Sequence, residues 1–219
     1  MEKVYFISGL GADKRVFSLL DLSCCEPVFI DWIEPLKNES LQSYALRLRQ
    51  LIPEISPVIV GISFGGMLVM EMAKADKNIK GIIIASSKTH HEIPAVLRIG
   101  NYFPLYKWTP SSVSKYIIRH NTWLLCDKDP AHKKLIREII ATSDMKFVRW
   151  AIGAILHWKN TIVPSNIIHI HGTADKLLPY KLVKADYSIK DGTHVLTLDK
   201  HHELSHILKM LIFQYGRQK

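Results

Sequence analysis

Val58-Ile59-Val60-Gly61-Ile62-Ser63-Phe64-Gly65-Gly66, continued by Met67-Leu68-Val69-Met70, holds a β-branched run, a glycine-rich turn around a single serine, and the start of a helical pattern that lasts to Ala75. A strand, a sharp turn and a helix in that order place Ser63 at the end of a strand and above a sheet. Glycines at 61 and 65 allow the backbone of such a turn to approach its neighbours without side-chain collisions. The helix that follows brings free amide donors and a positive dipole end, which suit an oxygen that becomes negative during acyl transfer. The string G-x-S-x-G is common by itself, and its strand and helix flanks are what give it meaning.

Outward from this turn, the same alternation recurs. Val4 to Ile7 and Pro27 to Asp31 read as strands on either side of the Gly9-Leu10-Gly11 break, with Ser40 to Ile52 as a helix and Ile79 to Ala85 as a further strand. Strands that are apolar throughout belong to a mostly parallel sheet with helices on both faces, so the fold class is α/β. Residues 88–161 break the rhythm: Ser112 to Arg119, Ala131 to Ala141 and Met145 to Trp158 are helical patterns with no strand between them. The expected organisation is a core of residues 1–87 and 162–219 with a helical cap inserted at 88–161. Ile167 to Ile170, a helix near Tyr180 to Lys184, a strand at Asp186 to Lys190 and a helix from His202 to Tyr215 complete the core.

The 219 residues, 47% hydrophobic and 22% charged, suit one globular domain with an insertion and exclude collagen-like, coiled-coil and disordered classes. Folding buries roughly 70% of the surface of such a chain, so neither disulfides nor metals are needed for stability. Three cysteines, two of them adjacent (Cys24 and Cys25), make no disulfide framework and point to a reducing cytoplasm. The start of the sequence lacks the pattern of a secretory signal, and no run reaches 18 apolar residues, so no membrane association is expected. Net charge is +9, concentrated between Lys88 and Lys159, where 12 Lys/Arg face 5 Asp/Glu. That asymmetry fits either an acidic partner or a solvated basic face. Basic and aromatic residues intermingle there (Tyr102, Phe103, Tyr106, Trp108, Trp123, Phe147, Trp150, Trp158), but no nucleic-acid-binding motif accompanies them. They read as packing between cap and core, with some free to wall an apolar pocket.

A serine hydroxyl is a poor nucleophile without a base, and the base needs a carboxylate to orient it. His171-Gly172-Thr173-Ala174-Asp175 follows a strand and puts Asp175 in a loop at the strand's C-terminal end; the other reading of Asp175 is a helix cap or Asx-turn. Asp191-Gly192-Thr193-His194 follows the next strand and supplies His194 as the candidate base. Of the eleven histidines, His169 and His171 read as structural, His201, His202 and His206 as helix-associated, and His90 and His91 as loop residues. No His/Cys grouping has metal-ligand spacing.

With these segments together, the chain resembles the α/β-hydrolase superfamily, in its compact form with a helical cap. The order Ser63, Asp175, His194 is that family's order, and the likeness runs from the Ser8-Gly9-Leu10-Gly11 loop through the serine turn to the Gly192-x-His194 segment. The resemblance implies a catalytic triad of Ser63, Asp175 and His194, with an oxyanion hole from the backbone N–H groups of Phe64 and Leu10. It departs from the pattern in two places: Ser8-Gly9 stands where His-Gly is usual, and the first strand corresponds to the family's third, with the opening hairpin absent. The implied function is a serine hydrolase that cleaves a small-molecule carboxylic ester or thioester through an acyl-enzyme, with no metal or organic cofactor. Three alternatives stay open: a lactone or carbon–carbon bond hydrolase, an esterase acting on acyl groups linked to an acidic carrier protein (similar to the carrier-linked methyl esterases of biotin synthesis), and a non-catalytic small-ligand receptor on the same scaffold.

Overall fold

The computed structural model describes residues 1–98, 106 and 108–216; Tyr102 and Phe103 lie outside them. Six strands, β1 (Lys3–Ile7), β2 (Glu26–Ile30), β3 (Val58–Ile62), β4 (Lys80–Ile84), β5 (Ile167–Gly172) and β6 (Tyr187–Ile189), form one sheet in the order β2-β1-β3-β4-β5-β6. Every adjacent pair is parallel, with Val4 opposite Val58, Val58 opposite Lys80 and Gly81 opposite Ile167. From β1 the chain moves outward to β2 and then returns across β1 to β3. The order of strands therefore reverses between β1 and β3, and the crevice at their C-terminal ends is where such sheets place ligands.

The helices are α1 (Leu41–Arg49), α2 (Phe64–Ala75), α3 (Ala95–Arg98), α4 (Ser111–His120), α5 (Pro130–Thr142), α6 (Met145–Leu156), α7 (Leu196–Asp199) and α8 (His201–Gly216). Alternation along each strand sends its apolar residues to two separate cores. Val4, Phe6, Val60, Ile82 and Ile84 pack with Ile136 and Ile139 of α5 and Leu204, Leu208 and Leu211 of α8. Tyr5, Ile7, Ile59 and Ile83 pack with Leu41 and Leu48 of α1, Leu68 and Met72 of α2, and Phe147 and Ala151 of α6. The sheet is thus covered on both sides, and β3 and β4 at its centre are apolar on both faces, while β5 carries the buried His169 and His171.

Local signals account for the element ends. The Ser40 side chain accepts from the Ser43 amide at 3.1 Å to start α1, and Asp129 and Asp144 cap α5 and α6 by accepting from Ala131 and Lys146. Three details differ from the sequence reading. β3 continues through Gly61 to Ile62, because the glycine permits close approach without ending the ladder. α2 begins at Phe64, three residues before its apolar pattern, with Gly65 and Gly66 inside its first turn. Tyr180 to Lys184 forms only a 3₁₀ turn, Tyr180–Leu182.

Between β4 and β5 the described residues hold α3 to α6 and no strand. This segment rests on loops at the C-terminal ends of the strands. The Ser143 hydroxyl donates to the Gly11 carbonyl at 2.5 Å, the Val195 amide to the Leu125 carbonyl at 3.1 Å, and the Trp150 indole to the Glu39 carbonyl at 3.0 Å.

Candidate active site

Ser63 has φ 51° and ψ −115°, a conformation that costs an L-residue about 1–3 kcal/mol and persists only where the surroundings enforce it. Here they do. The Ser63 amide donates to the Ile84 carbonyl at 2.9 Å, while its own carbonyl accepts from the Ser86 hydroxyl at 2.7 Å and the Met67 amide at 3.2 Å. A Cβ on Gly61 would lie 2.5 Å from the Gly65 carbonyl oxygen, and one on Gly65 would collide with the carbonyl oxygens of Ile7 and Ser8. Both glycines are therefore required by backbone packed on backbone.

The structure brings the three polar candidates into one row. Nε2 of His194 is 2.9 Å from the Ser63 hydroxyl, and its Nδ1 is 2.8 Å from Oδ2 of Asp175. Asp175 and His194 are buried, whereas Ser63 is partly open. Burial pushes the Asp175 carboxyl up. The positive charge that His194 can carry, hydrogen bonds from His171 and His194, and the Leu178 amide outweigh that push and hold it far below the usual carboxylate range. The two oxygens of Asp175 have separate partners: Oδ1 accepts from the amides of Leu177 and Leu178, both at 2.8 Å, as an Asx-turn does, and Oδ2 faces His194.

The loops that carry Asp175 and His194 touch through their main chains. A Cβ on Gly172 would collide with the Gly192 carbonyl, and the Ala174 amide donates to that same carbonyl at 2.9 Å. The Thr173 amide reaches the Ile189 carbonyl at 3.0 Å, and the Thr173 hydroxyl accepts from the Asp191 amide at 2.8 Å. Asp191 has φ 56°, which turns the chain toward His194.

Leu10 lies in the loop after β1, where Gly11 has φ 68°. A Cβ on Gly9 would come within 3.5 Å of the Ser63 Cβ, so the loop runs beside the serine. Ser8, which stands where the family usually has histidine, braces this loop by donating to the Ala12 carbonyl at 2.8 Å. The Trp32 indole donates to the same oxygen at 2.8 Å. The Phe64 amide belongs to the first turn of α2, whose N–H groups have no acceptor within the helix.

Two contributors escaped the sequence reading. Asp199 accepts from the Thr193 amide at 2.7 Å and fixes the residue before His194, while burial raises its carboxyl. His171, read as structural, contacts Asp175 at 3.3 Å. Asp199 has no periodic or motif signature, and His171 opens the His171-Gly172-x-x-Asp175 segment without that spacing showing that its ring meets the carboxylate, since both contacts form only on folding. Aromatic residues gather at the other side: Phe147 and Trp150 of α6 lie 6.2 and 6.1 Å from the Phe64 ring, and Trp32 lies 5.7 Å from it. Trp158 is buried with its indole donating to Glu71, whereas Trp108 and Trp123 are exposed. A cavity of about 640 Å³ opens beside Gly11, Trp32, Ser143 and Phe147, and another of about 930 Å³ lies between α1, α2 and α6; Ser63 and His194 line neither. Among the described residues no group of three or more His, Cys, Asp or Glu side chains is arranged to hold a metal ion, and no helix is long and apolar enough to cross a membrane.

Residues 4–207 match the model of a family described as alpha/beta hydrolase. A search of the curated proteins gives no match. Among solved structures, a carboxylesterase of the thaumarchaeon Nitrososphaera gargenis superposes with a TM-score of 0.76 at 15% identity, covering 100% of this chain and 92% of that one. A bromoperoxidase from Bacillus anthracis gives 0.70 at 16% identity, with 96% and 91% covered. A thermophilic esterase from Thermogutta terrifontis gives 0.67 at 13% identity, with 98% and 90% covered. At such identities the likeness is one of fold.

Proposed function

This chain belongs to the α/β hydrolase family, and from that premise we propose that it is a serine hydrolase cleaving a carboxylic ester or thioester through an acyl-enzyme on Ser63. The observation that carries the reading is the continuous row from the Ser63 hydroxyl through His194, at 2.9 Å, to Asp175, at 2.8 Å. His194 takes the hydroxyl proton as Ser63 attacks the carbonyl carbon, then gives it to the departing alcohol or thiol. Asp175 holds the Nδ1–H tautomer and balances the imidazolium charge. The amides of Leu10 and Phe64 supply donors to the oxyanion, aided by the N-terminal end of α2. Water then enters, loses a proton to His194 and releases the acid, which restores the free serine. Residues 88–161 act as the cap, and Trp32, Phe147 and Trp150 around Phe64 form its apolar wall toward the acyl group. Esterases among the structural neighbours point the same way.

A fluorophosphonate probe tests the reading. Wild type should label at Ser63 and Ser63→Ala should not, with hydrolysis of p-nitrophenyl acetate falling by roughly 10⁴-fold or more in the variant. Absence of labelling in folded wild type would instead favour a ligand-binding role.

A further inference from the structure

Asp175 is gripped from two sides. His194 takes one, and His171, at the end of β5 and fully buried, takes the other. Nε2 of His171 lies 2.8 Å from the Leu178 carbonyl oxygen and 3.3 Å from Oδ2 of Asp175. A carbonyl oxygen and a carboxylate only accept, so this nitrogen carries a proton. Nδ1 of His171 is 3.0 Å from Nε2 of His169, which is also fully buried. Burial, His171 and Lys88 together hold the His169 imidazole well below its ordinary range, against a backbone hydrogen bond at Lys184 and the charge of Asp175. His171 therefore donates from Nε2 toward the Leu178 carbonyl and Asp175, with the His169 ring against its other nitrogen.

We propose that His171 is a positioning residue for Asp175, whose Nε2–H pins Oδ2 in line with His194. The inference rests on the triad reading above. Its physical basis is that two amides on Oδ1 and two imidazoles on Oδ2 leave the carboxylate no room to rotate. The other charged groups around the chain are already engaged. Asp186 accepts from the His169 amide at 2.8 Å and from Lys88 at 3.1 Å. The Tyr180 ring stands 6.3 Å from His171, and Asp199 is bound to the amide of Thr193.

The test compares wild type, His171→Leu and His171→Gln for labelling by the fluorophosphonate, melting temperature, and kcat and KM for p-nitrophenyl acetate across pH. The Leu variant should lose roughly tenfold in kcat with KM within about twofold. Its kcat/KM should also fall away at a higher pH on the acid side, by about half a pH unit, because Oδ2 without its second donor holds the His194 imidazolium more tightly. The Gln variant, with an amide donor near the same place, should recover most of both. A folded Leu variant with unchanged kcat and pH profile overturns the proposal, as does a Gln variant as impaired as Leu. Should the Leu variant fail to fold, nitrogen-15 NMR of histidine-labelled wild type decides: a proton on Nε2 of His171 supports it, and an Nε2 without one overturns it. Wild type that neither labels nor hydrolyses ester would count against the triad reading, while the NMR assignment still decides the proton arrangement.

Discussion

Helices α2 and α4 are close in length, yet α2 buries ten of its twelve residues and α4 buries none of its ten. α2 is wedged between α1 and the sheet, and its first residue follows the strained Ser63, with Gly65 against the main chain of Ile7 and Ser8 and Gly66 against the Ser86 side chain. α4 leans on α5 and leaves Val113, Tyr116 and Ile117 exposed. The difference teaches where this molecule tolerates change: the end of the sheet that carries the polar row is built from backbone contacts with no slack, whereas α4 lies outside the two cores that α5 and α6 enter.

The largest expected effect lies on the tight side. Asp175→Asn should lower kcat on p-nitrophenyl acetate by roughly 10⁴-fold, since an amide neither fixes the Nδ1–H tautomer nor balances an imidazolium. The same variant should flatten the acid unfolding curve. Because Asp175 binds its proton more weakly folded than unfolded, its contribution to stability is present above the ordinary carboxylate range and is lost as pH falls below it. Wild type that unfolds with the same acid dependence as the variant would contradict this. Next comes Gly65→Ala, which forces a methyl group against two carbonyl oxygens and should cost about 3 kcal/mol or more in urea unfolding. The smallest effect belongs to α4: Tyr116→Ser or Ile117→Ser should change stability by no more than about 0.5 kcal/mol. A loss comparable to that at Gly65 would show that the contrast between the two helices is false.

Much of the sheet was legible because its strands are short, apolar throughout and bounded by turn residues, as at Val58–Ile62 and Ile167–Gly172. The serine turn was legible because strand, glycines and helix must occur in that order for it to form. Asp175 and His194 could be singled out because each sits in a loop just after a strand. Boundaries were less clear where glycine sends two messages: Gly61 looks like a strand end, and Gly65-Gly66 look like loop rather than the first turn of α2. The short α7 lacks a full helical period. His171 was invisible as a contributor because a histidine within a buried strand looks the same whether it meets a carbonyl or a carboxylate. Asp199 stands five residues from His194, and only the turn through α7 brings its oxygen back to Thr193.

The contact between Gly172 and Gly192 has a mechanical consequence. With no side chain interposed, the loops bearing the carboxylate and the imidazole are joined at the main chain, so a displacement of one carries the other along. The alcohol rides on a different support, the junction of β3 and α2. Were the crevice to widen, this joint would keep carboxylate and imidazole together, and the gap would open between imidazole and hydroxyl.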